Sequence, residues 1–210
     1  MKIGIIGAGN MGAAFAKRLG AAGHEVLITA RDVQHAKSVA SRTGGSVQAV
    51  PPNELTGDLI IAATPYSEQV RAAQAARNVA GSIVIDISNP LKSDYSGLVV
   101  GHTTSAAEEM ARGLPGTKVV KTFNTIFAEV LTERSQMEGG RRVQVFYAGD
   151  DGDAKKAVRT LIDTLGFEPV DAGPLQNARY LEPLGMLNIW FGYMAKRGTD
   201  FAPAWLKAAA

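Results

Sequence analysis

Six residues near the start of the chain, Gly7-Ala8-Gly9-Asn10-Met11-Gly12, constrain it more than any other stretch. They follow a short apolar run over 2–6 and precede an alanine-rich segment over 11–22, in which Phe15 and Leu19 stand at an i, i+4 spacing. Strand, tight turn and helix in that order open a βαβ unit. At Gly7 the backbone turns tightly, at Gly9 the missing side chain lets a pyrophosphate approach, and at Gly12 helix and strand pack closely. The helix start then offers free N–H groups to the anion. The spacing therefore predicts a dinucleotide site built on Gly7, Gly9, Asn10, Met11 and Gly12.

The remaining sequence repeats this alternation. Strand patterns fall at 25–29, 46–49, 58–63, 82–87, 118–123, 142–148 and 168–171, and helix patterns at 32–42, 66–80, 105–112, 152–165 and from 175 onwards. Thr103, Thr104 or Ser105 is available to cap the helix at 105. Alternation of this kind predicts an α/β chain of the Rossmann type, with a doubly wound, mostly parallel sheet and a short C-terminal helical extension. No repeat, low-complexity linker or charge run marks a boundary, so residues 1–210 read as a single dinucleotide-binding domain, with the extension at about 175–210. The 39 residues after Asp171 are too few for a separate helical substrate domain.

Charge and composition exclude several function classes. The 22 basic and 20 acidic residues are mixed along the chain, so no nucleic-acid partner is expected. The absence of cysteine removes disulfides, thiolate metal sites and a cysteine nucleophile, and fits a reducing compartment, so a cytoplasmic location is expected. No apolar run approaches the ~20 residues of a membrane helix, and the apolar start is too short for a signal peptide. No membrane partner is expected. His24, His35 and His102 are scattered, with no H-E-x-x-H, no Ser-His-Asp arrangement and no metal set.

The end of the second strand selects the nucleotide. An acidic residue there would bind the ribose hydroxyls of NAD and repel a 2′-phosphate, whereas this strand ends Thr29-Ala30-Arg31-Asp32. Arg31 suits a phosphate, and His35 one turn later adds a second donor when protonated. NADP(H) is the expected cofactor, with Asp32 either capping the next helix or reaching a ribose hydroxyl. Ligands of such sheets lie beyond the carboxyl ends of the strands, which singles out Thr64-Pro65, Ser88-Asn89-Pro90 and Asn124-Thr125 as a wall for the nicotinamide. The same residue types are ordinary turn formers. No general acid stands out. That favours a ring-to-ring hydride transfer, which needs alignment in a dry site, over ketone reduction, which needs a placed proton donor.

Several segments together carry a family resemblance: the glycine turn, Thr29-Ala30-Arg31-Asp32, Val119-Val120-Lys121-Thr122-Phe123-Asn124-Thr125, Gly149-Asp150-Asp151 and Asp171-Ala172-Gly173-Pro174-Leu175-Gln176-Asn177-Ala178-Arg179. Over almost its full length the chain resembles the coenzyme F420-dependent NADP oxidoreductase family, to which the cytosolic domain of the STEAP membrane metalloreductases is also similar. The resemblance implies a homodimer that moves a hydride between NADPH and a deazaflavin. It also implies a deazaflavin pocket containing Gly173, Pro174, Leu175 and Asn177, with Asn124 and Thr125 near the reacting rings. Archaeal members tend to carry histidine where this chain has Asn124, which resembles the bacterial and metalloreductase-like branch and admits FMN, FAD or a ferric chelate as the acceptor. The expected function is thus an NADPH-dependent oxidoreductase with a small-molecule redox partner, coenzyme F420 or a flavin. An NADPH-dependent imine, carbonyl or ferric reductase and a non-catalytic NADPH-sensing module are the alternatives.

Overall fold

The computed structural model describes residues 1–76 and 79–208. Eight strands form one sheet: β1 (Lys2–Ile6), β2 (Glu25–Thr29), β3 (Val47–Ala49), β4 (Leu59–Ala62), β5 (Ile83–Asp86), β6 (Lys118–Thr122), β7 (Gln144–Gly149) and β8 (Glu168–Asp171). Their order across the sheet is β3-β2-β1-β4-β5-β6-β7-β8. The first six are parallel, β7 runs antiparallel to β6, and β8 is parallel to β7. The chain winds outward from β1 in both directions, so the order reverses between β1 and β4. That switch point leaves a crevice above the carboxyl ends of the strands.

The helices are α1 (Asn10–Ala21), α2 (Val33–Thr43), α3 (Tyr66–Gln74), α4 (Ala106–Gly113), α5 (Ala128–Glu133), α6 (Gly152–Thr164) and α7 (Ala178–Ile189). Because side chains alternate along a strand, each buried strand feeds two cores. Ile3, Ile5, Ile85 and Val120 pack under α1, α2, α5 and α6, whereas Ile6, Ile60, Val84 and Val119 pack under α3, α4 and Leu175. Phe15, Phe123 and Phe167 stack edge to face through the first core. The expected strands and the doubly wound sheet are all present.

Three boundaries differ from the sequence reading. The helix expected over 66–80 ends at Gln74, and its positions 77 and 78 lie outside the described residues, as do 209 and 210 of the extension. The six-residue α5 has no counterpart in the sequence reading. It is too short to carry the chain back across the sheet, since six helical residues span only about 9 Å, and β7 enters from the same end at which β6 left. The extension is helical only to Met194: a 3-10 turn over Leu175–Asn177 leads into α7, and a π turn over Trp190–Met194 closes it. Beyond it, positive φ at Lys196 and Gly198 breaks the helix, and Pro203 follows.

Candidate functional site: a dinucleotide crevice

The glycine turn joins β1 to α1 at the switch point. Gly7 has φ +109°, and a Cβ there would lie 2.3 Å from the Ala63 carbonyl oxygen, while one on Gly12 would lie 1.9 Å from the Gly7 oxygen. Neither neighbour can yield, because both are backbone. A Cβ on Gly9 would meet nothing within 4 Å, so that face of the turn is open. Gly9 is the N-cap of α1 and its first turn holds neither a capping side chain nor an acidic residue. The N–H groups at Asn10 and Met11 therefore point at the crevice with the positive end of the helix dipole behind them. His35 Nε2 donates to the Ala8 oxygen at 2.9 Å, which ties the turn to α2. Asp32 accepts from the Gln34 N–H at 2.9 Å and caps α2, which fixes its carboxylate as a cap.

Of the cavities that meet the turn, one lies against Ala8, Gly9, Asn10 and His35, and two lie along the crevice. The first of these two, of about 460 Å³, lies over the ends of β1, β2 and β4 and is lined by Gly7, Thr29, Arg31, Thr64, Pro65 and Arg71 among others. Glu68 lines it too, opposite Arg71, so the net positive charge of the lining is that of Arg31. The Arg71 guanidinium pairs with Glu68 and holds its carboxyl below the usual carboxylate range, with the Arg31 charge adding to the effect. The second cavity, of about 270 Å³, lies on the other side of the turn and is lined by Met11, Asn89, Tyr95, Asn124, Asn188 and Tyr193 among others. Ile87, Phe123, Ile126 and Ile189 give it apolar walls, and Asn10 and Glu129 add polar groups to the lining.

Asn124 is held on three sides. Its Nδ2 donates to the Leu181 oxygen at 2.8 Å and to Asn89 Oδ1 at 2.9 Å, and Asn89 Nδ2 donates to the Asn124 backbone oxygen at 2.9 Å. Because the Leu181 carbonyl can only accept, the orientation of the Asn124 amide is fixed, and its Oδ1 is left over as an acceptor. Seven buried side-chain polar atoms lack a protein partner among the described residues. Five of them stand at the carboxyl ends of the strands: Thr29 Oγ1, Thr64 Oγ1, Ser88 Oγ, Asn124 Oδ1 and Thr125 Oγ1. Buried polar atoms normally find partners, and of these five Thr29 and Thr64 line the first cavity and Asn124 the second, a polar cradle along the crevice. Ser88, Asn89 and Pro90 follow β5, and Thr64-Pro65 opens α3, where the strand-end reasoning put them.

The structure does not bring Gly173, Pro174, Leu175 and Asn177 to this crevice. Gly173 accepts from the Gly149 N–H, level with Val120 in the middle of β6, and Leu175 lies further toward the amino end, donating to Asp150. Asn124 is past the carboxyl end, roughly 13 Å away along the strand direction. Instead these residues form a turn, in which Asn177 Nδ2 bonds the Ala172 oxygen and Lys155 bonds the Gly173 oxygen and Asp171. α7 then runs from this turn to the crevice, where Gly185 meets Asn89 and Asn188 donates to the Thr125 oxygen. Asn188, Ile189, Tyr95 and Tyr193 are cavity residues that the sequence reading missed. A helix beginning 89 residues after Asn89 gives no local sign of where it will land, and Tyr95 stands in the long connection between β5 and α4, away from any strand end.

Comparisons with known proteins agree with this geometry. Residues 2–90 match the family model described as NADP oxidoreductase, coenzyme F420-dependent. The chain is 31% identical over 207 residues to an F420-dependent NADP reductase of Methanothermobacter thermautotrophicus, which covers 90% of this chain and 88% of that protein. It is 32% identical over 193 residues to the metalloreductase STEAP3 of Rattus norvegicus, covering 90% of this chain but spanning only 38% of STEAP3. The solved structure of a candidate F420-dependent NADP-reductase from Arthrobacter sp. FB24 superposes with a TM-score of 0.84 at 30% identity, covering 98% of this chain and all of the other. Coverage of this extent, on a chain that carries the glycine turn and the cradle, leads to one conclusion: it belongs to the family of coenzyme F420-dependent NADP oxidoreductases.

Proposed function

We propose that this protein is an NADPH-dependent oxidoreductase that passes a hydride between NADP(H) and a deazaflavin of the F420 type, or a flavin-like ring. The observation that carries the reading is the polar cradle along the crevice, with Thr29 and Thr64 in one cavity and Asn124 in the other, each with a partnerless oxygen. The N–H groups of Asn10 and Met11 hold the pyrophosphate, and Arg31 holds the 2′-phosphate, with His35 bracing the turn from below. Asn124 Oδ1 accepts from the nicotinamide carboxamide, with the hydroxyls of Ser88 and Thr125 beside it. NADPH supplies the hydride, and the acceptor takes its proton from solvent. Ile87, Phe123, Ile126 and Ile189 keep water from the exchange, and Tyr95 and Tyr193 flank the mouth through which a flat acceptor enters.

In this reading all 210 residues act as one domain. Gly173, Pro174, Leu175 and Asn177 serve the acceptor by aiming α7 at its cavity. The working form is a homodimer in the cytoplasm. No helix among the described residues is long and apolar enough to cross a membrane.

Anaerobic oxidation of NADPH, followed by absorbance with coenzyme F420, FMN, FAD and a ferric chelate in parallel, tests the proposal. Turnover with F420 or a flavin is the expected result. Turnover with the ferric chelate alone would move the chain to the metalloreductase side of its relatives, and tight NADPH binding without turnover by any acceptor would point to a sensing module.

A further inference from the structure

A fully buried group of three charges lies beneath the crevice. Asp86 on β5 and Lys121 on β6 are register partners, and both project toward the face covered by α4 and α7. Lys121 Nζ donates to Asp86 Oδ2 at 2.9 Å, to the Ser88 oxygen at 2.5 Å and to Glu182 Oε1 of α7 at 2.9 Å, which uses all three of its donors. All three side chains are 0% exposed. Asp86 Oδ1 accepts from the Ser88 N–H at 2.8 Å, so both backbone groups of Ser88 are clamped by this pair while its hydroxyl is left free. Glu182 accepts in turn from the N–H groups of Ala106 and Ala107, at 3.0 and 3.3 Å, at the start of α4. The residue before it, Leu181, supplies the carbonyl that fixes Asn124.

Burying three charges is costly. What the trio supplies in return is directional: its members bond the backbone of the Ser88 turn and of the start of α4, which apolar side chains cannot hold in register. We infer that Lys121 is a positioning residue: with Asp86 and Glu182 it locks the Ser88-Asn89 turn to α7, so that the floor and the wall of the acceptor cavity keep one mutual alignment. The inference rests on the reading of that cavity as the place where nicotinamide and acceptor meet. The geometry separates two ends of the cofactor. The clamp touches the turns at the nicotinamide end and nothing at Thr29 or Arg31.

The test compares the wild type with the triple variant Asp86→Leu/Lys121→Met/Glu182→Met, whose apolar side chains leave no orphaned charge and release the backbone of Ser88 and of the start of α4. The expected result is a folded protein that binds 2′,5′-ADP within about twofold of the wild type. Its kcat falls ~10- to 100-fold with a larger isotope effect from NADPH deuterated at C4, because misplacement on the order of 1 Å costs about that much. A folded triple variant with the wild-type kcat and isotope effect would overturn the inference. A measurement on the unmodified protein needs no variant: the Ser88 amide should exchange with solvent as slowly as those of Val84 and Ile85, and exchange at the rate of an open loop would equally overturn the clamp. Should the wild type neither bind nor oxidise NADPH, the proposed function fails, while the amide exchange still decides whether the clamp exists.

Discussion

Phe123 adopts φ +58°, a left-handed conformation that costs a bulky residue roughly 1–2 kcal/mol. Its ring offsets the cost by packing fully buried against Phe15 and Phe167, at centroid distances of 5.0 and 6.2 Å. The kink turns the next two carbonyls, of Asn124 and Thr125, toward the side chains of Asn89 and Asn188. Phe123→Ala keeps the strain and loses the packing, so it should destabilise by ~3–5 kcal/mol in denaturant unfolding. Phe123→Gly should be no worse than the alanine variant, since glycine adopts this conformation freely; an alanine variant clearly more stable than the glycine one would contradict the strain. Arg31 carries a second prediction at this scale. Arg31→Ala should weaken NADPH by ~1.5–3 kcal/mol, roughly 10- to 150-fold in Kd, and leave NADH nearly unchanged. Equal losses for both cofactors in titration calorimetry would refute its role. The strand-end residues Thr29, Ser88 and Asn124 were legible because each is among the first polar residues past an apolar strand. Asp86, Lys121 and Glu182 were not, because they are far apart in sequence and only the sheet register and the return of α7 bring them together.

Between residues and the whole fold, α4 shows how a short helix is held at its start. Ser105 accepts from the Glu108 N–H, the cap that the sequence allowed, and Glu108 accepts two bonds from Arg179 of α7, at 2.9 and 2.7 Å. These bonds, with a smaller contribution from Ser105, hold the Glu108 carboxyl below its ordinary value of 4.5. A depressed carboxylate contributes stability that is present above the unfolded value and is lost as pH falls through the folded one. Glu108→Gln should therefore lower Tm at neutral pH, by ~1–2 kcal/mol of stability. The gap from wild type should close as the pH drops below about 4.5. A gap independent of pH would show that the ion pair contributes nothing. Arg179 was legible only as part of a motif, and its partner lies 71 residues earlier. Helix ends were legible where a capping side chain marked them, as at Asp32 and Ser105. The end of α3 was not, because the alanines from 72 to 80 suit a helix well past Gln74.

For the molecule as a whole, the doubly wound topology followed from one glycine turn and regular alternation, since right-handed crossovers leave few other arrangements. The reversal at β7 was not legible, because strand direction depends on how far a connection can reach and α5 leaves no pattern. That reversal has a consequence for assembly. It makes α7 return over the β6 to β8 part of the sheet, and the outer face of the helix is left apolar: Tyr180, Leu187, Trp190 and Met194 follow one another at spacings of 7, 3 and 4 and are 72, 48, 46 and 39% exposed. Such spacing puts all four on one stripe of a helix. Among the described residues, seven of the ten large exposed hydrophobic ones lie between 180 and 206, a concentration that a solvated surface does not favour. The proposed homodimer buries this stripe against its copy, and a two-fold axis through α7 would make the contact self-complementary. Sedimentation equilibrium should then report two chains per particle for the wild type. Trp190→Glu should shift the midpoint of dissociation by at least ~30-fold, as the loss of a central aromatic anchor worth about 2 kcal/mol requires. A wild-type mass of one chain at tens of micromolar protein would remove the dimer and leave the stripe to another partner. A dimer indifferent to Trp190→Glu would move the interface to a different face.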